Sequence, residues 1–331
     1  MLPRRSLITA AAAGLLASAA LLAPAGAWAQ AADYPKAGSP IRYVVPFPPG
    51  GLTDVMARLV GQQLGERWKV QVVIDNKPGS GGQIGAAEVA KAPGDGQTLL
   101  AITMAHASNA TLYKGKTPFD FSKDLKPVAL LAGSPMLIVV PAASPIKDYK
   151  DLVAAAKSRK LNAGSSGNGT PVHLTLALFN DLNKTEVQHV PYKGGAPSMT
   201  DLIGGQLDVI FSNMPESIAH VKSGKLRALA IASSARHPLV PDVPTTAEAG
   251  QPQLAVENWT AVMVPGTTPD AIVNKLAAEV VAIMGTTEIQ ERARTQGFRI
   301  DARPAPAFAS FVRTEVDRWA TIIGAAKISA E

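Results

Sequence analysis

The sequence predicts an α/β protein of two lobes, each a mainly parallel sheet flanked by helices, with a ligand cleft between them. Short runs rich in β-branched residues alternate with segments whose apolar residues recur at helical spacing. This alternation occurs twice, on either side of an apolar run near residues 128–140. A chain of 331 residues is also long enough for two separate cores.

The first unit has the order strand, helix, strand, helix, strand. Its strands read "IRYVVPF", "VQVVIDN" and "QTLLAIT". Its helices read "DVMARLVGQQLGERW" and "GGQIGAAEVAKA", and the first spaces Val55, Met56, Leu59, Val60 and Leu64 along one face. Helical crossovers between strands predict a parallel sheet with helices on its faces.

The second unit repeats this order. Its strands read "SPMLIVVPAAS", "VQHVPY", "DVIFSN" and "LRALAIAS", and its helices "DYKDLVAAAKSRK", "GTPVHLTLALFNDLN", "SMTDLIGGQL" and "ESIAHVKSGK". The chain then adds a strand and a long amphipathic helix from "VENWTAVMV" onward, and a last helix, "PAFASFVRTEVDRWATIIGAA". We therefore expect a discontinuous lobe 1 (residues 30–132 and 256–331) and a continuous lobe 2 (residues 133–255).

The first 29 residues predict an export signal that is not part of the fold. Arg4 and Arg5 form a basic start, an apolar run follows, and small residues surround a cleavage point near Ala29. The alternative is a membrane anchor, for which the run is short. Cleavage lowers the formal charge from +6 to +4, because the signal holds two arginines and no acid. We expect a periplasmic protein, exported by either the general or the twin-arginine route.

The composition argues against several classes of function. Lys and Arg are spread along the chain and only 5% of residues are aromatic, so we expect no nucleic-acid partner. A weak positive charge favours anionic small molecules. The five histidines show no H-x-x-x-H spacing and the chain has no cysteine, so we expect no metal site.

Enzymatic motifs are also missing. The "GSGGQIG" segment has Ile84 where the dinucleotide fingerprint needs its last glycine, and "GSSGNG" lacks the spacing of a nucleophile elbow. The "SPIK" segment matches S-x-x-K without its companion motifs. We expect no cofactor and no catalytic residues, since no nucleophile–base pair is recognisable.

Four glycine-rich loops follow strands or extended runs and precede helices: residues 46–54, 76–85, 163–173 and 191–199. Glycine lets the backbone approach a ligand, and helix N-termini present amide N–H groups without intrahelical partners. Together they form anion sites without a charged side chain. The alternative is that these loops are ordinary turns in which Thr53, Thr170 and Ser198 cap helices.

Three further kinds of residue allow two interpretations each. His173 lies beside a candidate loop and either contacts ligand or makes a structural hydrogen bond. Asp54 either caps and orients the first loop, which we favour, or contacts ligand. Trp259 and Trp319 are expected in the core.

Several long motifs, in order, resemble the solute receptors of tripartite tricarboxylate transporters, often called Bug or TctC-like proteins. They are "YVVPFPPGGLTDVMARLV", "VIDNKPGSGGQIGAAEVAKAPGDGQTLL", "GSSGNGTPVHLTLALF", "VPYKGGAPSMTDLIGGQLDVIFSN" and "GKLRALAIASSARHPLVPDVPTTAEAG". The resemblance covers nearly all of the chain after the signal. It implies a two-lobed periplasmic-binding-protein fold (type II-like), and delivery of a carboxylate solute to a membrane permease of one large and one small subunit.

The resemblance also implies which residues hold the ligand. In the family, backbone amides and bridging waters hold the ligand carboxylate between the first loop and loops of the second lobe. The corresponding positions here are Pro49, Gly50, Gly51, Thr53 and Asp54 in lobe 1, and Ser165, Ser166, Gly169, Thr170, Lys193, Gly194, Gly195 and Ala196 in lobe 2. We add Thr103 and His106 for the distal end of the ligand, and His173 beside its loop.

Leu52 departs from the Ser or Ala that is common in the family at this position. If its side chain points into the cleft, it narrows the pocket or favours an apolar ligand body. The expected function is a receptor, acting as a monomer, for a mono- or dicarboxylate, aromatic acids included. The alternatives are a periplasmic ligand sensor and, less favoured, a periplasmic hydrolase.

Overall fold

A computed structural model describes residues 34–326 and 328–329; the predicted signal and its cleavage point lie outside these residues. Lobe 1 begins with three strands and three helices in alternation. They are β1 (Ile41–Val45), α1 (Leu52–Trp68), β2 (Val72–Asn76), α2 (Gln83–Ala90), β3 (Thr98–Thr103) and α3 (Met104–Leu112). Helix α3 was not predicted, because the sequence after β3 has no charged residue to mark a solvent-exposed face.

Strand β4 (Leu125–Pro141) leads into lobe 2, whose elements alternate in the same way. They are α4 (Tyr149–Ser158), β5 (Asn162–Ser165), α5 (Pro171–Asn183), β6 (Gln188–Pro191), α6 (Gly195–Ile203), β7 (Val209–Asn213), α7 (Met214–Lys222) and β8 (Leu226–Ala232).

The chain then returns to lobe 1 through β9 (Glu257–Pro265), α8 (Asp270–Met284), α9 (Thr287–Thr295), β10 (Arg299–Pro304) and α10 (Ala305–Ala325). Two of these elements, α9 and β10, were not predicted. Helix α9 is mostly charged or polar, and β10 is a short edge strand ending in proline, so neither shows a clear apolar period.

The sheets are mixed rather than mainly parallel. The parallel pairs match the prediction for lobe 1, where β1 pairs with β2 and β3. In lobe 2, β5 pairs in parallel with β6 and β7, but β5 itself was not predicted, because its four residues, NAGS, show no apolar run. The pairs β3–β9, β4–β7, β4–β8, β4–β9 and β4–β10 are antiparallel. The reason is that β4 and β9 carry the chain from one lobe to the other, so they run against the strands built by helical crossovers.

Strand β4 is shared by the two sheets. Its first part, up to Pro135, pairs with β9, and its last part, from Met136, pairs with β7 and β8. The returning chain lies beside this change of partners, because the Val256 N–H donates to the Ala232 carbonyl (3.0 Å). The change lies close to the predicted lobe limits at 132/133 and 255/256, which remain predictions.

Within residues 34–326 and 328–329, three apolar clusters form the core. One lies in lobe 1 and contains Tyr43 and Leu64, and a second lies in lobe 2 and contains Phe179. The third joins residues of both lobes and contains Trp259 and Trp319, which confirms the prediction that both tryptophans are buried. None of the described helices is long and apolar enough to cross a membrane.

Candidate ligand-binding site

A cavity of about 320 Å³ lies where loops of the two lobes meet. No Lys or Arg is among the described residues that line it. The lining consists of Phe47, Pro48, Pro49, Gly50, Gly51, Leu52, Thr53, Thr103, Ser166, Pro171, Gly194, Gly195, Ala196, Met199, Thr200, Ile203, Asn213, Glu216, His220 and Asn258.

Five helices begin at this cavity, two from lobe 1 and three from lobe 2. The first or capping residues that line it are Gly51 for α1, Thr103 for α3, Pro171 for α5, Gly194 for α6 and Asn213 for α7. Each helix N-terminus presents amide N–H groups and a partial positive charge. These helix starts therefore favour negative charge at the cavity, and at α1 the Glu216 carboxylate already supplies it by accepting the Leu52 N–H.

Asp54 holds the first loop in shape. Its carboxylate accepts hydrogen bonds from the Gly50 N–H (2.9 Å), from Arg58 at both oxygens (2.9 Å each) and from the Asn76 amide (2.9 Å). Burial raises the pKa of Asp54, but the bonds from Arg58, Gly50 and Asn76 outweigh it, and the net shift is downward. Asp54 is buried and does not line the cavity, so the geometry favours the orienting role over ligand contact.

Glu216, on α7 of lobe 2, crosses the cleft to the first loop of lobe 1. Its carboxylate accepts hydrogen bonds from the Leu52 N–H and from the Asn213 side chain (2.9 Å). It lies between Gly51 and Gly195, where a Cβ would stand 3.5 Å and 2.3 Å from its two oxygens. Burial raises the pKa of Glu216, and the bonds from Asn213 and Leu52 act in the opposite direction.

The loop at residues 165–170 is held by side chains that do not line the cavity. His173 Nδ1 accepts a hydrogen bond from the Gly169 N–H (3.1 Å), and its ring stacks on His189 at 4.0 Å between centroids. Burial lowers the pKa of His173 to about 4. Burial and then the neighbouring His173 lower the pKa of His189 to about 3.

The structure also brings a hydroxyl and an imidazole together that the sequence did not pair. Ser165 Oγ lies 2.5 Å from His189 Nε2. The same hydroxyl accepts a hydrogen bond from the Gly167 N–H (3.1 Å). Ser165 is 1% exposed and does not line the cavity, so a molecule in the cavity does not reach its oxygen.

Thr103 and His106 form a capping box at the start of α3. Thr103 Oγ1 accepts from the Ala105 N–H (3.0 Å), and His106 Nδ1 accepts from the Thr103 N–H (3.2 Å). Burial lowers the pKa of His106 to about 4, and its ring meets Phe47 edge-on. Thr103 lines the cavity, whereas His106 lies behind it.

The cavity thus includes ten of the residues expected at the site. They are Pro49, Gly50, Gly51, Leu52, Thr53, Thr103, Ser166, Gly194, Gly195 and Ala196. The expected residues outside its lining are Asp54, His106, Ser165, Gly169, Thr170, His173 and Lys193. Lys193 is exposed and lines a neighbouring cavity that shares Phe47, Pro48, Ser166 and Gly194 with this one.

Two side-chain expectations need correction. The Leu52 side chain is 3% exposed and packs in the lobe 1 core, although the residue borders the cavity. The alternative in which Thr53, Thr170 and Ser198 cap helices is wrong for Thr53 and Ser198, while Thr170 is the N-cap residue of α5 but makes no capping hydrogen bond with its side chain. Thr53 and Ser198 lie inside their helices, and the Thr170 hydroxyl donates to the Gly167 carbonyl (2.6 Å) instead.

Sequence reasoning missed the lobe 2 residues Asn213 and Glu216 and the β9 residue Asn258. The signal was present for two of them: "SNMPES" follows a strand and opens a helix, as the four chosen loops do, but it has no glycine. Asn258 is the second residue of the otherwise mostly apolar strand β9, and only the pairing of β9 beside β4 brings it to the cleft.

A family model described as "Tripartite tricarboxylate transporter family receptor" matches residues 56–328. The chain belongs to this family. BugT of Bordetella pertussis, a curated relative of this receptor, is 34% identical over 315 residues, which are 93% of this chain and 94% of that protein. Receptors of the family are periplasmic.

Two solved structures of similar receptors carry acids. The Rpa4515 protein of R. palustris, solved with adipate, is 34% identical with a TM-score of 0.86, over 90% of this chain and 99% of that one. MatC (Rpa3494) of Rhodopseudomonas palustris, with bound malate, is 32% identical with a TM-score of 0.82, over 87% of this chain and 99% of that one. This receptor therefore has the same fold as two proteins whose structures contain dicarboxylates.

Proposed function

We propose that this protein is a periplasmic receptor that captures a small organic carboxylate, mono- or dicarboxylate, by closure of its two lobes. The observation that carries the proposal is the set of five helix N-termini around one cavity, which no Lys or Arg among the described residues lines. Backbone amides hold the carboxylate, directly or through bridging water, which is nearly as favourable as a direct hydrogen bond.

The grip needs both lobes. The first loop contributes the start of α1 from lobe 1, and residues 194–196 contribute the start of α6 from lobe 2. Only a closed cleft brings both sets of amides to one carboxylate, so ligand favours the closed state. The membrane partner is the large and small subunits of a tripartite transporter, which recognise the closed receptor; the protein acts as a monomer after cleavage near Ala29.

The receptor binds its solute without chemical turnover. The Ser165–His189 contact does not carry a hydrolase function, because the serine hydroxyl is buried, does not line the cavity and is engaged by the backbone at Gly167. Incubation of each bound acid or its ester with the protein should leave it unchanged. Accumulation of a product at a rate that depends on Ser165 would support the hydrolase alternative instead.

The testing experiment is a thermal-shift screen of the protein from Gln30 onward, after unfolding and refolding to remove bound solute. The panel pairs carboxylates of three to eight carbons, aromatic acids included, with their amides. A ligand at 100 times its Kd adds about 2.7 kcal/mol to the free energy of unfolding. We expect at least one acid, and not its amide, to raise the Tm. A panel with no shift in any acid contradicts the proposal.

A further inference from the structure

The cleft contains a chain of hydrogen bonds whose direction is set by Glu216. A carboxylate only accepts hydrogen bonds, so the Asn213 amide nitrogen must donate to Glu216 (2.9 Å). The Asn213 oxygen then accepts from the Asn258 amide nitrogen (2.7 Å). This leaves the Asn258 Oδ1 atom at the end of the chain as an acceptor.

That acceptor has no partner among the described residues. Asn258 is 2% exposed and lines the cavity, and its Oδ1 atom is buried without a hydrogen bond. An unpaired buried acceptor costs free energy that a donor from a ligand would recover. The Glu216 carboxylate lines the same cavity, so this side of the cleft presents acceptors.

No cationic side chain within the described lining balances Glu216; His220 is the remaining titratable residue of that lining. The Leu52 N–H and the Asn213 amide contact the carboxylate, but both belong to neutral groups. A buried carboxylate is most stable when a cation pairs with it and satisfies its remaining lone pairs. Glu216 supplies the anion of such a pair, so the cation would have to come from the solute.

We propose that Glu216 and Asn258 form a subsite for an ammonium group, so that the captured solute is an acid that also carries an amine. This inference rests on the proposed function, which places the solute carboxylate in the same cavity. A zwitterion fits both parts of the cleft. Its carboxylate meets the helix N-termini apart from the Leu52 N–H, which Glu216 already engages, and its ammonium donates to Glu216 and to the Asn258 oxygen.

The same arrangement disfavours an acid whose second charge is negative. A dicarboxylate of similar length places a carboxylate where Glu216 already stands, and like charges in a desolvated site repel. Glu216 is thus a specificity-determining residue, which selects between acids that share one carboxylate and differ in their other end.

The test measures Kd by calorimetry for the wild type and for Glu216→Gln, which keeps the side-chain shape and removes the charge. The probes are every acid of three to eight carbons that binds, each with its amine-bearing partner. One such set is pentanoate, 2-aminopentanoate, 5-aminopentanoate and glutarate. Glu186→Gln, on an exposed position of lobe 2, is the matched control for net charge.

We expect amine-bearing acids to bind the wild type most tightly, and Glu216→Gln to weaken them by about 30-fold or more, since one partner of a buried charge pair is lost. Glu216→Gln should leave amine-free monoacids nearly unchanged and tighten dicarboxylates. Asn258→Leu, which removes the acceptor at similar volume, should weaken the same amine-bearing acids. Glu186→Gln should change none of these values.

The contrary results are distinct. If Glu216→Gln lowers the Kd of amine-bearing and amine-free acids alike, the Glu216 side chain competes with the solute for the carboxylate site. The proposal of an ammonium subsite is then wrong. Equal affinities in wild type and Glu216→Gln also overturn it, provided that the melting temperatures agree. If no acid of either kind binds the wild type, the receptor function itself fails, which is a different outcome.

Discussion

Two glycines face the Glu216 carboxylate from opposite lobes and differ in the space around them. A Cβ on Gly51 would lie 3.5 Å from one Glu216 oxygen, an ordinary contact, while a Cβ on Gly195 would lie 2.3 Å from the other. The backbone of Gly51 has φ of −77°, which any residue adopts. A side chain at position 195 would therefore require the Glu216 carboxylate to move.

At the residue scale, we predict that Gly195→Ala moves the Glu216 carboxylate and raises the Kd of the captured acid, because the added methyl group takes the place of that carboxylate beside the cavity. The matched variant Gly51→Ala should change the Kd by much less. Calorimetry on both variants checks this, with circular dichroism to verify the fold. Equal losses of affinity in the two variants would show that contact with Glu216 does not explain the effect of a side chain at position 195.

At the element scale, the start of α5 depends on neutral imidazoles. His173 accepts the Gly169 N–H through a lone pair that protonation removes, and the two stacked rings of His173 and His189 repel when charged. The loop that borders the cleft at Ser166 is thus tied to a pair of histidines that must stay uncharged. A fall in pH therefore affects this loop by protonating His173 and His189.

We predict a loss of stability in weak acid. Folding lowers the pKa values of His173 and His189 from 6.5 to about 4 and about 3, so the unfolded chain binds more protons in that window. The stability from these groups is complete above pH 6.5 and is lost as the pH falls toward 4.

Urea denaturation at pH 7 and pH 5 measures this effect. The free energy of unfolding should fall less between these pH values in the double variant His173→Asn/His189→Asn than in the wild type. His106 contributes to both proteins equally, because its pKa is also lowered to about 4 in lobe 1. The same pH dependence in both proteins would contradict the role given to the pair.

At the scale of the whole molecule, the lobes are joined where strands change partners and touch again at their loops. Near Pro135 the last part of β4 leaves β9 for β7 and β8. Across the cleft, a Cβ on Gly194 would lie 2.5 Å from the Pro48 side chain. Two packed lobes, a strand junction and a cavity between loops are the parts that hinge closure needs.

We predict that the lobes separate without solute and close with it. The chain has no cysteine, so Ile84→Cys in lobe 1 and Lys193→Cys in lobe 2 accept a single pair of spin labels. Both positions border one cavity at the cleft, and both are exposed. Electron–electron distance measurements should give a broad distribution that shortens and narrows on addition of the acid.

Calorimetry on the labelled protein is the control for this measurement, since Lys193 was expected at the site. If the labelled receptor binds its acid and the distance distribution stays the same, closure is not part of capture.

The sequence by itself determined the alternation of strands and helices, the burial of Trp259 and Trp319, and four loops of which two, at residues 46–54 and 191–199, supply most of the cavity's predicted residues. These features follow from local patterns: apolar period, glycine, and the free amides at helix starts. The family resemblance rests on the same local motifs.

Only the tertiary structure decided which side chains meet in the cleft. Glu216 is separated by more than 160 residues from the Leu52 N–H that it accepts, and Asn258 reaches Asn213 through strand pairing. Neither contact can be predicted from local sequence periodicity, because both contacts depend on how the two lobes pack. The direction of β4 and β9, and so the mixed sheets, was decided in the same way: a strand that joins two lobes takes its partners from both.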